Sequence, residues 1–433
     1  MKSHNKNYAS RHSLLLDEIK KLPDIEVRLA ARHIINRKLP RPLWADGIAK
    51  DSKRHVKTVF GDIDNLTLAL ARQASLLCHF PNFDEKTLEN RTRLTFLSKD
   101  SVTLQELEEK FESIVRTGIM GNLPEHCNVR FFAPKDGKLQ CLKSLRENSY
   151  LDTGIDLIAS KGCSQSEIIP MLPDADSSII TVFSYEDLGE ARLPSPHVFR
   201  LLDRKYLSKD NIEKYFDEID FTRALLINKV YNISTGLREI TNFTSFDASD
   251  YNVSLKRLCD EISESSAVTS WDSIQGNDAL EVKLSNLYCG DCIDAKLASV
   301  GLKIEDFVKK EKAGLLSALS FQRKIRKSHA MKVIENHLKT LSKVEHYRWC
   351  AERLILGYQP FSKEEHYEDE LLSIADRKEY RRRKKRDLKH HIDLCSYKEL
   401  RHVDPEAIKY DCFITLAIDR ILTLEQQFRQ NYL

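Results

Sequence analysis

The sequence predicts a Rossmann-like α/β amino-terminal part with a mostly parallel sheet, followed by an all-α carboxyl-terminal domain. Up to about residue 250, short apolar segments rich in β-branched residues alternate with amphipathic helical segments. That alternation is typical of a parallel sheet covered by helices on both faces. Beyond this point the apolar residues recur almost purely with helical periodicity.

The elements of the α/β part follow from Val56 onward, after a basic and helical amino-terminal extension that two prolines interrupt near Trp44. The predicted strands are Val56–Phe60, Arg93–Ser98, Val129–Ala133, Ile155–Ala159, Ser178–Ser184 and Val198–Leu202. The predicted helices are Asp64–His79, Leu104–Arg116 and Asn211–Asn232.

Helices fill the rest of the chain after a polar, loop-like segment at Glu239–Asn252. They are predicted at Val253–Glu264, Glu281–Val300, Ile304–Leu316, Ser328–Leu356, His366–Lys389 and Pro405–Phe428. The predicted organisation is a helical extension (1–55), a Rossmann-like domain (56–250), a helical connector (251–330) and a helical domain (331–433).

Composition narrows the function classes. The chain has 433 residues, 41% hydrophobic and 31% charged, with a net charge of +3, so no global charge argument favours nucleic acid. No apolar run reaches membrane-spanning length and no signal-peptide core is present, so we expect a cytoplasmic protein without membrane insertion. Ten scattered cysteines fit a reducing compartment. Only Cys289-Gly-Asp-Cys292 has metal-like spacing, and without a second ligand pair we expect no metal.

Catalytic and cofactor motifs are lacking in the sequence. No G-x-G-x-x-G follows a predicted strand and no phosphate-binding P-loop occurs, so we expect no nucleotide cofactor. No nucleophile elbow, zinc-protease or kinase motif stands out either. A non-catalytic protein is therefore expected, and an NAD- or nucleotide-processing enzyme in the α/β part is kept as an alternative.

The most informative stretch is Lys343–Tyr358, which reads KVEHYRWCAERLILGY. Its spacing predicts a helix with an apolar face, and Gly357 stands where a helix cap is expected. A second face carries a tryptophan among charges, which needs apolar cover and a partner for its indole N–H. The apolar face comprises Val344, Tyr347, Ala351 and Leu354, and the second face Glu345, Arg348, Trp349 and Glu352.

This stretch resembles the core motif of the ryanodine-receptor (RyR) repeat domain as it occurs in bacterial proteins. The matching residues are Glu345, His346, Arg348, Trp349, Ala351, Glu352, Gly357 and Tyr358. The second half of that pattern is matched by Lys389, His391, Asp393, Leu394, Tyr397 and Leu400. The chain departs from it at Ile392 and Ser396, where the family has prolines, and at Cys395, where it has valine. The upstream region loosely resembles the degenerate Rossmann domain of potassium-uptake regulators.

The resemblance implies a ligand-sensing or interaction module rather than a catalyst. It also implies a place in nucleotide-dependent bacterial defence or signalling, with an NAD-derived or cyclic nucleotide as ligand. A pocket between the two halves of the module is the expected ligand position. The expected ligand-binding residues are Glu345, Arg348, Trp349, Glu352, Tyr358, Lys389 and Tyr397.

Two alternatives stay open on the residues themselves. Glu345, Arg348 and Glu352 have the spacing of an ion-pair ladder, so this face can equally serve packing within the module. The charged segment Glu364–Arg386 joins an acidic stretch to a basic run, which suits a protein partner or a second copy of the chain. Nucleic acid is disfavoured there because only Tyr380 interrupts the basic run as an aromatic.

Overall fold

The computed structural model describes residues 25–39, 42–45, 47–61, 65–97, 127–132, 156–160, 181–184, 218–237, 245–264, 279–307 and 329–432. The strands are β1 (Lys57–Gly61), β2 (Thr92–Leu97), β3 (Cys127–Phe132), β4 (Leu157–Ser160), β5 (Thr181–Ser184), β6 (Gln359–Pro360) and β7 (His390–His391). The helices are α1 (Ile25–His33), α2 (Asn65–Leu77), α3 (Glu218–Gly236), α4 (Asn252–Glu264), α5 (Ala279–Asp291), α6 (Ile293–Ser299), α7 (Leu338–Ile355), α8 (Lys363–Leu371), α9 (Ile374–Leu388), α10 (Tyr397–Val403), α11 (Ala407–Leu416) and α12 (Ile418–Tyr432).

A five-stranded sheet of order β3-β2-β1-β4-β5 forms the centre of the amino-terminal part. Every neighbouring pair in it is parallel. Phe60 of β1 stacks on Phe96 of β2 with ring centroids 5.2 Å apart, and both rings are fully buried. The observed strands start and end within a few residues of the predicted ones. The predicted helix Leu104–Arg116 and strand Val198–Leu202 lie outside the described residues.

The described helices enclose two large apolar cores. One core joins the sheet to α1, α2 and part of α5. The other joins α3, α4, α6, α7 and α10–α12. Helix α3 contributes to both, since Ala224 and Leu225 pack in the first core while Ile227 and Val230 pack in the second. The amino-terminal and carboxyl-terminal parts are therefore packed together through shared helices.

The carboxyl-terminal part is helical, as predicted, but several predicted helices are divided. Glu281–Val300 is broken at Cys292, and His366–Lys389 is broken before Ile374. The hydroxyls of Ser373 and Ser396 accept hydrogen bonds from backbone N–H groups three residues later, and each starts a new helix. Serine at this position is a strong helix start signal. Helix α10, which begins after Ser396, was not predicted.

A two-residue parallel pair, β6 with β7, ties the segment after α7 to the segment after α9. Lys389, just before β7, has a left-handed φ of 56° and its carbonyl accepts from the N–H of Gln359 at 2.9 Å. The two halves of the RyR-like pattern are thereby brought side by side. Within the described ranges, no helix has both the length and the apolar content to cross a membrane.

Candidate functional site

Helix α7 carries the most informative stretch and lies at the centre of the carboxyl-terminal part. Its predicted apolar face is buried as expected, including Val344, Tyr347 and Leu354. The Tyr347 hydroxyl donates to a Glu85 carboxylate oxygen at 2.5 Å, and that same oxygen accepts from the backbone N–H of Tyr397 at 3.0 Å. Glu85 belongs to the loop that leads into β2. This carboxylate therefore links the sheet-bearing part to both halves of the helical module.

The charged face of α7 is an ion-pair network inside the protein. Arg348 donates to Glu345 at 2.9 Å and to Glu352 at 2.5 Å, and each of these three residues is at most 1% exposed. Lys296 of α6 completes the pairing by contacting Glu345. Ser285 of α5 donates to Glu352 at 2.9 Å.

The two most buried cations of this network, Lys296 and Arg348, balance its two carboxylates, and Arg353 approaches Glu352 at 3.7 Å. Burial acts to raise the pKa of Glu345, but Arg348 and Lys296 outweigh it and hold the pKa at about 2. Lys296 links the network to α6 and Ser285 links it to α5, so the network holds α7 against these two helices. Of the two roles open for this face, the geometry of Glu345, Arg348 and Glu352 matches packing.

Trp349 is separated from those three charges. It lies at the edge of their face and turns toward His346, with near-parallel rings 6.1 Å apart, and toward His391, in an edge contact at 5.0 Å. The Arg353 guanidinium lies 5.6 Å from the indole centroid. The expectation that Trp349 acts together with Glu345, Arg348 and Glu352 is corrected by this arrangement, because the indole lines a cavity that the three charges do not reach.

That cavity has a volume of about 290 Å³ and opens between α3, α7, the segment after β7 and α11. It joins side chains that are distant in sequence, and the two halves of the RyR-like pattern contribute Trp349 and Asp393. Its lining residues are Tyr231, Asn232, Thr235, His346, Trp349, His391, Asp393, Ala407, Tyr410 and Asp411.

Both histidines of the cavity are held neutral. Burial lowers the pKa of His346 to about 4, although its bond to the Cys395 carbonyl acts in the opposite direction. Since a carbonyl only accepts, His346 Nε2 carries the proton in that 3.0 Å bond and Nδ1 has a lone pair. Burial also lowers the pKa of His391, whose Nδ1 accepts from the backbone N–H of Asp393 at 3.3 Å. Neither ring therefore supplies a positive charge near neutral pH.

Burial acts on the acidic groups of the cavity in the opposite direction. It raises the pKa of Asp393 and of Asp411 well above the usual aspartate range. It also raises the pKa of the Tyr231 and Tyr410 hydroxyls. The cavity thus combines aromatic walls with carboxyl groups whose ionised form is disfavoured by burial.

Three further residues expected to bind ligand lie around the cavity rather than in it. The Tyr358 hydroxyl donates to Glu281 at 2.9 Å, and Lys389 Nζ contacts the same carboxylate at 3.3 Å and the Leu356 carbonyl at 3.1 Å. Tyr397 is buried, with its ring 5.3 Å from that of His346. Tyr358 and Tyr397 support the histidines of the cavity wall, and Lys389 fixes the turn into β7.

Several lining residues were not expected from the sequence. His346, His391 and Asp393 belong to the RyR-like pattern, so the pattern held a signal for them. Tyr231 of α3 and Tyr410 and Asp411 of α11 carried none, since a tyrosine or aspartate on an amphipathic helix has no distinguishing spacing. Their approach to Trp349 is decided by helix packing alone.

The Cys289–Cys292 pair lies at the junction of α5 and α6 as buried free thiols. Burial raises the pKa of Cys289 to about 12, which makes thiolate ligation costly. In the portion of the chain that the structure describes, no group of three or more His, Cys, Asp or Glu side chains is arranged to hold a metal ion.

The charged segment Glu364–Arg386 forms the α8–α9 hairpin and pairs much of its charge internally. Arg381 donates to both carboxylate oxygens of Asp369, at 2.8 and 2.6 Å. Lys384 lies 2.9 Å from Glu365. Ile374 is nevertheless 88% exposed at the start of α9. The acidic and basic stretches are thus mutual partners, and the turn between them presents apolar surface.

Comparison with known proteins adds no relative to this picture. No protein-family model, curated protein or solved structure matches the chain.

Proposed function

We propose that this chain is a non-catalytic regulatory protein whose helical module senses a small nucleotide-like signal in the cavity beside Trp349. One observation carries the proposal: an aromatic-walled cavity of about 290 Å³ lies where the two halves of the RyR-like pattern meet. Cavities with aromatic walls and a few convergent polar groups are the usual form of small-molecule sites. The size suits a base or comparable ring, with the rest of a nucleotide outside.

The same helix supports a route for the signal. His346 and Trp349 line the cavity, while the adjacent Tyr347 is bonded to Glu85 of the sheet-bearing part. A ligand that moves α7 by a small amount changes that contact, because both groups lie on one rigid helix. Binding would therefore alter how the two parts of the chain pack.

The sheet-bearing part fits this role as a Rossmann-like partner domain. Its strand order β3-β2-β1-β4-β5 is that of the first five strands of doubly wound dinucleotide-binding folds. The sequence lacks the glycine-rich phosphate turn of such domains, so we assign it a regulatory rather than a cofactor-binding role. We further propose that the protein works in bacterial defence or signalling, as its RyR-like pattern implies.

Calorimetric titration with a panel of nucleotides tests the proposal. We expect at least one member to bind, and Trp349→Ala to abolish that binding without loss of the fold. Tyr367→Ala is the matched control, since Tyr367 is 64% exposed on α8 and does not line the cavity. If no nucleotide of the panel binds, or if the purified chain turns over NAD, the proposal of a non-catalytic sensor is refuted.

A second candidate is a protein-interaction scaffold that uses the Glu364–Arg386 hairpin. The exposure of Tyr367, Leu371 (69%) and Ile374 on neighbouring turns favours it, because clustered exposed apolar side chains mark interaction surfaces. A partner chain or a second copy would cover them. Sedimentation of the protein with and without Ile374→Asp tests this candidate, and we expect the variant to lose the oligomer or the co-purifying partner.

A further inference from the structure

The cavity contains two carboxyl groups that lack cationic partners in the described part of the chain. His346 Nδ1 lies 4.0 Å from Asp411 Oδ2, and His391 Nδ1 lies 3.8 Å from Asp393 Oδ2. Among the described residues, the buried Oδ1 atom of Asp393 has no hydrogen-bond partner. Neither carboxyl therefore has a lysine or arginine within ion-pairing distance in the described part of the chain.

The tautomers of the two histidines determine what each imidazole can offer to the neighbouring aspartate. His346 Nε2 donates to the Cys395 carbonyl, and His391 Nδ1 accepts from a backbone N–H. The Nδ1 atoms that face the two carboxyls therefore carry lone pairs, which can accept from a protonated acid but cannot donate to an ionised carboxylate. Neither imidazole neutralises its aspartate.

The walls of the cavity favour positive charge as well. Tyr231 and Tyr410 form a tilted pair with centroids 6.3 Å apart, and Trp349 lines the cavity together with them. Aromatic rings attract a cation through their quadrupole, most strongly when water is excluded. The lining residues include two aspartates and no lysine or arginine, so an anionic group placed here would face two carboxyls without a cation in the wall.

We infer that the ligand group held in this cavity is a positively charged planar nitrogen heterocycle, such as an N-alkylated purine-type ring. Its charged edge lies against Asp393 and Asp411 and its face contacts Trp349. The inference rests on the proposed sensing function and specifies the chemistry of the signal. Any phosphate of that signal remains outside the cavity, away from the carboxyls.

Proton linkage follows from this arrangement. Burial raises the pKa of both aspartates, so each stays protonated to a higher pH than usual. A cation needs the ionised form, so its binding releases protons and its affinity rises with pH. The other titratable groups of the cavity wall are Tyr231, His346, His391 and Tyr410. Charges outside the wall also act on the carboxyls: Arg381, Lys385 and Asp404 on Asp393, and Glu345, Lys296 and Arg348 on Asp411.

Two matched ligand pairs test the inference by calorimetry on the full chain: 1-methyladenosine against adenosine, and 7-methylguanosine against guanosine. In at least one pair we expect the methylated cation to bind at least tenfold more tightly than its neutral parent. The preference should grow with pH while the methylated base stays cationic. We expect Asp411→Asn to remove it, because the amide keeps the shape and loses the charge.

The outcomes separate this inference from the proposed function. Neutral nucleosides that bind as tightly as the cations, with Asp411→Asn unchanged, would overturn the inference and leave nucleotide sensing intact. If none of the four nucleosides and no member of the wider nucleotide panel binds, both the inference and the proposed sensing function are overturned. Thermal unfolding of Asp411→Asn, with Tyr367→Ala as a second control, establishes that a lost preference is not a lost fold.

Discussion

Replacing Glu345 by glutamine tests the buried charge network of α7 with almost no change in shape. The network holds Lys296 and Arg348 against Glu345 and Glu352, and Arg353, which approaches Glu352 at 3.7 Å, is itself paired with Glu281. Glu345→Gln leaves one uncompensated positive charge among side chains that are at most 1% exposed. Removing one partner of a buried ion pair costs about 3–5 kcal/mol, and we expect a loss of that size in the free energy of unfolding.

Urea unfolding followed by far-ultraviolet circular dichroism measures this loss. Glu379→Gln is the matched control, because Glu379 pairs with Arg382 at 2.6 Å with three-residue spacing while both side chains are more than half exposed. We expect little change there, since exposed pairs contribute little.

A double variant tests the coupling directly. Lys296→Met together with Glu345→Gln restores charge balance and leaves Arg348 paired with Glu352. We expect its loss to be smaller than the sum of the two single losses by about 0.5–3 kcal/mol, the usual range for residues in one network. A Glu345→Gln loss no larger than that of Glu379→Gln, or strictly additive single losses, would refute the account of a balanced buried network.

Three further predictions use thermal or urea unfolding. Gly47→Ala should destabilise the protein by more than about 1 kcal/mol, because Gly47 has a φ of +67° and an added Cβ would overlap a carbonyl oxygen of α6. Gly236→Ala should not destabilise it in this way, because no described atom lies within 4 Å of the added Cβ. Tyr347→Phe should cost about 1.5–3 kcal/mol by removing the hydrogen bond to the Glu85 carboxylate; no measurable loss would contradict that link. Because the pKa of His346 falls from 6.5 to about 4 on folding, its contribution of about 3 kcal/mol is present above pH 6.5 and is lost as the pH falls to 4. His346→Gln should therefore reduce the loss of stability in that window, to which His79 and His391 also contribute.

Periodicity predicted the elements that local pattern controls. The parallel strands and the long helix before His79 were placed to within a few residues because β-branched runs and the spacing of apolar residues act over short distances. Helix starts at serine caps were missed at Ser373, which lies inside a segment predicted as one helix, and at Ser396, where no helix was predicted. The single helix predicted at His366–Lys389 is therefore two helices in the structure, which form the α8–α9 hairpin.

The same distinction between local sequence pattern and tertiary packing applies to the candidate site. The α7 stretch was recognised as the centre of the module, and its ladder of Glu345, Arg348 and Glu352 followed from helical spacing. Spacing could not decide whether that ladder faces a ligand or another helix. The approach of Lys296 and Ser285 decides it, and both come from helices far away in sequence.

The sequence by itself determined that a tryptophan stands on a charged helix, that this helix is amphipathic, and that a second motif half follows it. Only the tertiary structure shows which side chains surround the indole of Trp349. Packing of α3 and α11 brings Tyr231, Tyr410 and Asp411 into the cavity that Trp349 lines. Such contacts depend on how whole helices pack, and helix packing is set by the summed fit of many side chains rather than by any local pattern.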